Sequence, residues 1–134
     1  LAEEFKSQGF KLWDGTRQDL RSAYSSDVNE HRLLQYDSCR GLEGWTVVCL
    51  QLDEFVRYKF ETYEEDEGQA NLFQEDAEDK RERFVHLWSL IPLTRAIDTV
   101  VITLKNPKSP YAQKLKSLAE KMPDFVEWIE TKNG

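Results

Sequence analysis

The chain has 134 residues, of which 40% are hydrophobic and 32% charged, and its formal net charge is -7. That length suits one compact domain with a real core, and the composition is that of an ordinary globular protein rather than a disordered or fibrous one. No apolar run approaches the roughly 18 to 20 residues of a membrane helix, so no membrane-spanning helix is expected, and the two cysteines, without a disulfide pattern, suit a cytoplasmic protein.

The chain opens on Leu1 rather than Met and carries neither a basic n-region nor an apolar h-region. That start predicts a piece of a longer polypeptide without a signal peptide. Leu1 and Phe5 stand four apart, with Gly9 as a stop, so residues 1 to 8 read as the end of a helix. Phe10 to Trp13 reads as a short strand, Asp14-Gly15 as a turn, and Thr16 to Glu30 as a polar loop with at most one helical turn. A second strand is expected over Arg32 to Asp37, broken at Ser38-Cys39-Arg40-Gly41. Trp45 to Leu52 then holds the nearly continuous apolar run Thr46-Val47-Val48-Cys49-Leu50, the pattern of a parallel strand covered on both faces. Thr99 to Leu104 repeats that pattern.

Between these two strands lies a long crossover. Its helix is predicted from Glu75 to Ala96, with Phe84, Leu87, Trp88 and Ile91 as the buried stripe. The three elements make a β-α-β unit, whose connection is right-handed. Asn106 to Pro110 forms a turn, with Ser109 as N-cap and Pro110 at the first helical position. Tyr111, Leu115, Leu118 and Met122 continue as a helical stripe. Pro123 stops that helix and starts another, on which Phe125, Trp128 and Ile129 face one way. The spacing of Trp13, Trp45, Trp88 and Trp128 on strand and helix patterns predicts core positions for all four.

The charge is unevenly spread. Nine acidic residues and no Lys or Arg fall between Glu61 and Asp79, a stretch expected to be a solvated insertion within a single domain covering residues 1–134. Without those nine, 16 acidic residues face 18 basic ones, a balance compatible with touching nucleic acid. Cys39 and Cys49 lie beside or within apolar strands and read as reduced thiols. With His31 and His86 they show no metal-ligand spacing, so no metal site is expected.

Two stretches carry chemistry. The first is the glycine-containing loop from Tyr36 to Trp45, where Gly41 permits a tight turn and Glu43 can accept hydrogen bonds from a sugar hydroxyl. The second is Pro92-Leu93-Thr94-Arg95-Ala96, which places an arginine just before a buried strand, where its guanidinium needs an anion. Together, Arg40-Gly41-Leu42-Glu43-Gly44-Trp45-Thr46-Val47-Val48 and, about fifty residues on, Leu93-Thr94-Arg95-Ala96-Ile97-Asp98-Thr99-Val100-Val101-Ile102 resemble motifs V and VI of the UvrD/Rep-like superfamily I helicases. The resemblance runs from Leu33 to Leu104. Within it the family often has His at the position of Asp37, Lys at Arg40 and Tyr at Leu90.

The resemblance implies an α/β fold, a three-layer RecA-like (P-loop NTPase-like) domain with a mostly parallel sheet flanked by helices. It also implies the carboxy-terminal portion of an ATP-dependent DNA or RNA helicase or translocase. Gly41 and Glu43 then fall beside the ribose and phosphates of ATP, and Arg95 becomes the arginine finger on the γ-phosphate, with Thr94 holding its turn. Asp37, Ser38 and Arg40 face single-stranded nucleic acid, DNA in preference to RNA. The substrate is ATP with Mg²⁺. The sequence has no Gly-x-x-x-x-Gly-Lys-Ser/Thr loop to cradle its phosphates, so a Walker A motor domain in cis is expected to complete the site. Alone, the chain is expected to be inactive. A non-catalytic module binding nucleic acid or protein through a helicase-like fold is the alternative. A stand-alone hydrolase finds no Ser/His/Asp or paired-carboxylate arrangement.

Overall fold

In the computed structural model, the described residues are 1–21, 24–25, 27–64 and 76–130. The centre of the acidic stretch, residues 65–75, lies outside them, as does the predicted helix start at Glu75. The chain divides into two compact units, Leu1–Glu43 and Gly44–Gly134. Both are built from helices and short parallel strand pairs, an α/β arrangement at the coarse level.

In the first unit, helix α1 spans Ala2–Ser7, strand β1 Leu12–Asp14 and strand β2 His31–Leu33. β1 and β2 pair in parallel, with Trp13 opposite Arg32. Trp13 is buried as expected, and Tyr24 meets its ring edge-on at 5.2 Å. β2 is shorter than the predicted Arg32 to Asp37 because Tyr36–Ser38 close into a 3₁₀ turn in which the Ser38 N–H donates to the Gln35 carbonyl. Asp37 and Ser38 therefore sit in a turn and not at a strand end.

Buried Asp14 accepts hydrogen bonds from the backbone and hydroxyl of Thr16, and the Gly15 N–H donates to the Leu33 carbonyl at 2.9 Å. A Cβ on Gly15 would come within 2.6 Å of the Trp13 ring and 2.9 Å of the Leu34 side chain. Gly15→Ala is therefore expected to destabilise this unit by about 1–3 kcal/mol, the usual cost of overpacking, read as a lowered urea midpoint with an unchanged slope.

The second unit holds strand β3 (Gly44–Cys49), helix α2 (Leu52–Glu61), helix α3 (Ala77–Leu93), strand β4 (Ala96–Ile102) and helix α4 (Pro110–Lys121). β3 and β4 run parallel, Gly44 opposite Ala96 and Cys49 opposite Ile102, with a register irregularity between Gly44 and Thr46. The apolar runs thus form adjacent parallel strands joined through helices, as the pattern predicts. The expected single sheet does not form among the described residues, whose strands make two separate pairs.

Nor are both faces covered. The Cys49 face is buried only at its end, at Cys49 itself, with Trp45 and Val100 of the same face exposed, and on the other face the paired Val48 and Val101 are exposed, as is Ile97 at 60%. An apolar run records a preference for burial, and no described element meets it on that side.

Helix α2 is absent from the sequence reading. Gln51 turns the chain sharply after β3 in the left-handed conformation (φ 52°), and the buried Leu52 begins the helix one residue later. α2 packs on α3 through aromatic and cationic side chains. Phe84 lies 5.0 Å from Tyr63 and 6.0 Å from Trp88, the Lys59 ammonium sits 3.8 Å from the Trp88 ring centre, and Arg81 stacks on Phe60 while donating to its carbonyl at 2.6 Å. The buried stripe of α3 is Val85, Ser89 and Pro92, flanked by Phe84, Trp88 and Ile91; Leu87, predicted in the stripe, is exposed. Asp76 caps α3, its side chain accepting from the Glu78 N–H.

Asp53, buried beneath the loop after β4, accepts the Lys105 N–H at 2.9 Å and the Asn106 N–H at 2.8 Å. That loop leads to α4, which begins as predicted, with the Ser109 hydroxyl accepting from the Ala112 N–H and Pro110 in the first turn. Ala112 and Ala119 are the buried residues of α4, while Leu118 and Met122 are exposed, so the stripe is rotated from the expected one. Burial raises the Tyr111 phenol above its ordinary value, against a smaller opposing hydrogen bond from Ser89. Among the described residues no helix follows Pro123: residues 126–130 have no regular structure, and Phe125 and Ile129 are largely exposed. Among the described residues no helix is long and apolar enough to cross a membrane.

Candidate functional site

Arg95 occupies the turn that joins α3 to β4. The predicted helix to Ala96 instead ends at Leu93, shortly after Pro92, which lacks an N–H to continue it. Thr94 closes the end: its backbone N–H donates to the Leu90 carbonyl at 3.0 Å and its hydroxyl donates to the same oxygen at 2.8 Å. The Arg95 backbone is fixed on both sides, its N–H donating to the Pro92 carbonyl at 3.2 Å and its carbonyl accepting from the Gly44 N–H at 3.0 Å.

The guanidinium is less well provided for. One terminal nitrogen donates to the Thr94 hydroxyl at 3.1 Å, while Nε is buried and has no hydrogen-bond partner among the described residues. Among the described residues, no carboxylate forms an ion pair with it. Leaving such a donor unmet costs about 1–3 kcal/mol, more when the group is charged, so an anion arriving here gains what the protein does not provide. Thr94 and Arg95 are thus brought together, the hydroxyl bracing the cation.

The remaining predicted residues lie on one loop of the first unit. Asp37 and Ser38 form its 3₁₀ turn, and Arg40, Gly41 and Glu43 follow, all three exposed. Gly41 adopts φ +75°, a conformation that costs a residue with a Cβ about 1–2 kcal/mol, although the space around it is open. The Leu42 N–H closes the turn on the Cys39 carbonyl at 3.2 Å, and the half-buried Cys39 thiol donates to the Tyr36 carbonyl. Glu43 is the last residue before β3. The loop therefore follows the carboxyl end of β2 and runs into the amino end of β3, strands that belong to different pairs. Arg95 likewise precedes β4, so the tendency of ligands to gather at the carboxyl ends of parallel strands does not account for it.

Two residues of this region escaped the sequence reading. Trp45, expected in the core, is 69% exposed at the start of β3. Asp53, on which the sequence reading is silent, ties α2 to a loop 52 positions away. Among the described residues no group of three or more His, Cys, Asp or Glu side chains is arranged to hold a metal ion. No protein-family model, curated protein or solved structure matches the chain.

Proposed function

We propose that this chain serves an ATP-dependent superfamily I helicase or translocase, contributing an arginine finger to an ATP site whose phosphate loop lies on another motor domain. The finer fold reading belongs to the same proposal: a RecA-like sheet whose β3 and β4 are neighbours, flanked by further strands and helices. The observation that carries it is the Arg95 guanidinium, braced by Thr94 and, among the described residues, without a carboxylate and with a buried Nε that none of them satisfies. The motif resemblance supports it, as does the left-handed Gly41 in the loop that the resemblance sets beside ATP.

In this reading Arg95 binds the γ-phosphate and stabilises the charge that develops on its oxygens during transfer. Mg²⁺ would be held by the partner domain rather than by residues of this chain, and would supply positive charge to the transferring phosphate. Gly41 lets the backbone approach the nucleotide and Glu43 accepts from the ribose. Asp37, Ser38 and Arg40 line the path of single-stranded nucleic acid, with Asp37 the weakest of the three, since a carboxylate repels phosphate. The experiment that tests the reading is ATP hydrolysis by the intact protein with Arg95 replaced by alanine, with and without single-stranded DNA.

A further inference from the structure

Trp45 is the largest side chain on the second unit that the fold leaves in solvent. Its neighbours along β3 behave as strand residues should, Val47 half-buried and Cys49 buried, yet the indole two residues before Val47 is 69% exposed. It makes no ring contact with any described residue, whereas Trp13 and Trp88 both do. An indole buries some 150–250 Å² when covered, so leaving it out forgoes a large contribution that another molecule can recover.

Its position gives the exposure a chemical meaning. β3 and β4 start side by side, Gly44 opposite Ala96, and the Gly44 N–H is bonded to the Arg95 carbonyl. Trp45 follows Gly44 directly, so it is one residue from the backbone hydrogen bond that joins Gly44 to Arg95. One rim of the second unit thus carries an unstacked aromatic surface and a cation with an unmet donor. The acidic residue nearest in sequence on β4, Asp98, is already engaged by the Thr99 hydroxyl at 2.6 Å and forms no ion pair with Arg95. A planar uncharged ring joined to phosphates matches both features.

We propose that Trp45 stacks on the nucleobase of the nucleotide whose phosphates Arg95 holds, so the site grips a base as well as a triphosphate. The inference rests on the arginine-finger reading for the phosphate end only. Stacking tolerates every base, because each has a π-face, so Trp45 contributes affinity without strong choice among nucleotides.

The test is equilibrium binding of Mg²⁺-ATP, inorganic tripolyphosphate and a single-stranded oligothymidylate to the intact protein, comparing the natural chain with Trp45→Ala and Trp45→Phe. Trp45→Ala is expected to weaken ATP about 5- to 150-fold, the range of one lost base stack, while Trp45→Phe keeps most of the affinity. Tripolyphosphate, which has no base, should bind all three proteins alike. A loss confined to the oligothymidylate would overturn the assignment and give Trp45 to the nucleic-acid strand. Unchanged ATP affinity in a folded Trp45→Ala protein would overturn it as well. If Arg95→Ala still abolished hydrolysis, the arginine-finger reading would survive that failure. Equal losses for ATP and tripolyphosphate would also contradict stacking and place Trp45 in the scaffold of the phosphate site.

Discussion

Replacing Arg95 with alanine is expected to lower the kcat for ATP hydrolysis by the intact protein about 10³-fold or more, the lower range of what arginine fingers contribute. The Michaelis constant should move far less, because the guanidinium acts mainly on charge that appears in the transition state. Stability should not fall. The polar contacts of the side chain amount to one hydrogen bond to a neutral hydroxyl, and a buried Nε without a partner contributes nothing favourable. Arg95→Lys should not rescue turnover, since an ammonium cannot reproduce the planar fork presented to phosphate oxygens. A structural arginine predicts the reverse: a lowered urea midpoint and a kcat that recovers with lysine.

The second large effect is expected at Asp53, where alanine should destabilise the protein by about 3 kcal/mol. Both carboxylate oxygens of this buried residue are occupied, one by the Lys105 N–H and one by the Asn106 N–H. Alanine leaves two backbone donors unmet at once, each worth about 1–3 kcal/mol, and frees the loop that leads to the Ser109 cap of α4. Asp53→Asn should lie between, because its one amide oxygen can serve only one donor while its NH₂ faces the other. Urea titration of the three proteins measures this directly, and a loss below about 1 kcal/mol for alanine would mean that water replaces the carboxylate.

Much of the second unit was legible because its signals are local. Ser109-Pro110 specifies the start of α4 by one side-chain acceptor and one fixed φ, and both act within a single turn. The runs Thr46–Leu50 and Thr99–Leu104 announced neighbouring parallel strands, and α3 appeared between them. α2 was missed because Leu50 and Leu52 carry the apolar run of β3 across the single polar Gln51. The turn there depends on Gln51 in a left-handed conformation, which its side chain does not advertise. The helix pattern of Leu52, Phe55, Val56 and Phe60 was present in the sequence and was absorbed into the crossover.

The rest was illegible for physical reasons. Hydrophobicity shows that Trp45, Val48 and Val101 favour burial and cannot show whether a neighbour provides it, so exposed and covered strands read alike. Leu87 and Val85 are both apolar, and which of them faces inward depends on how α3 rolls against α2 through Phe84 and Trp88. Pro123 signals the end of α4, yet the stripe of Phe125, Trp128 and Ile129 is too short to sustain a helix alone. At the candidate site, sequence named Thr94, Arg95 and Gly41. The unmet Nε and the hydroxyl brace are coordinates that no spacing encodes.

The most direct measurement is the affinity of the intact protein for ADP with aluminium fluoride, a mimic of the transferring phosphoryl group, set against its affinity for ATP. If Arg95 is an arginine finger, Arg95→Ala should weaken the mimic by about 100-fold or more while changing ATP only a few-fold, since differential binding is what accelerates transfer. Equal affinities of the natural and substituted proteins for the mimic would contradict the account.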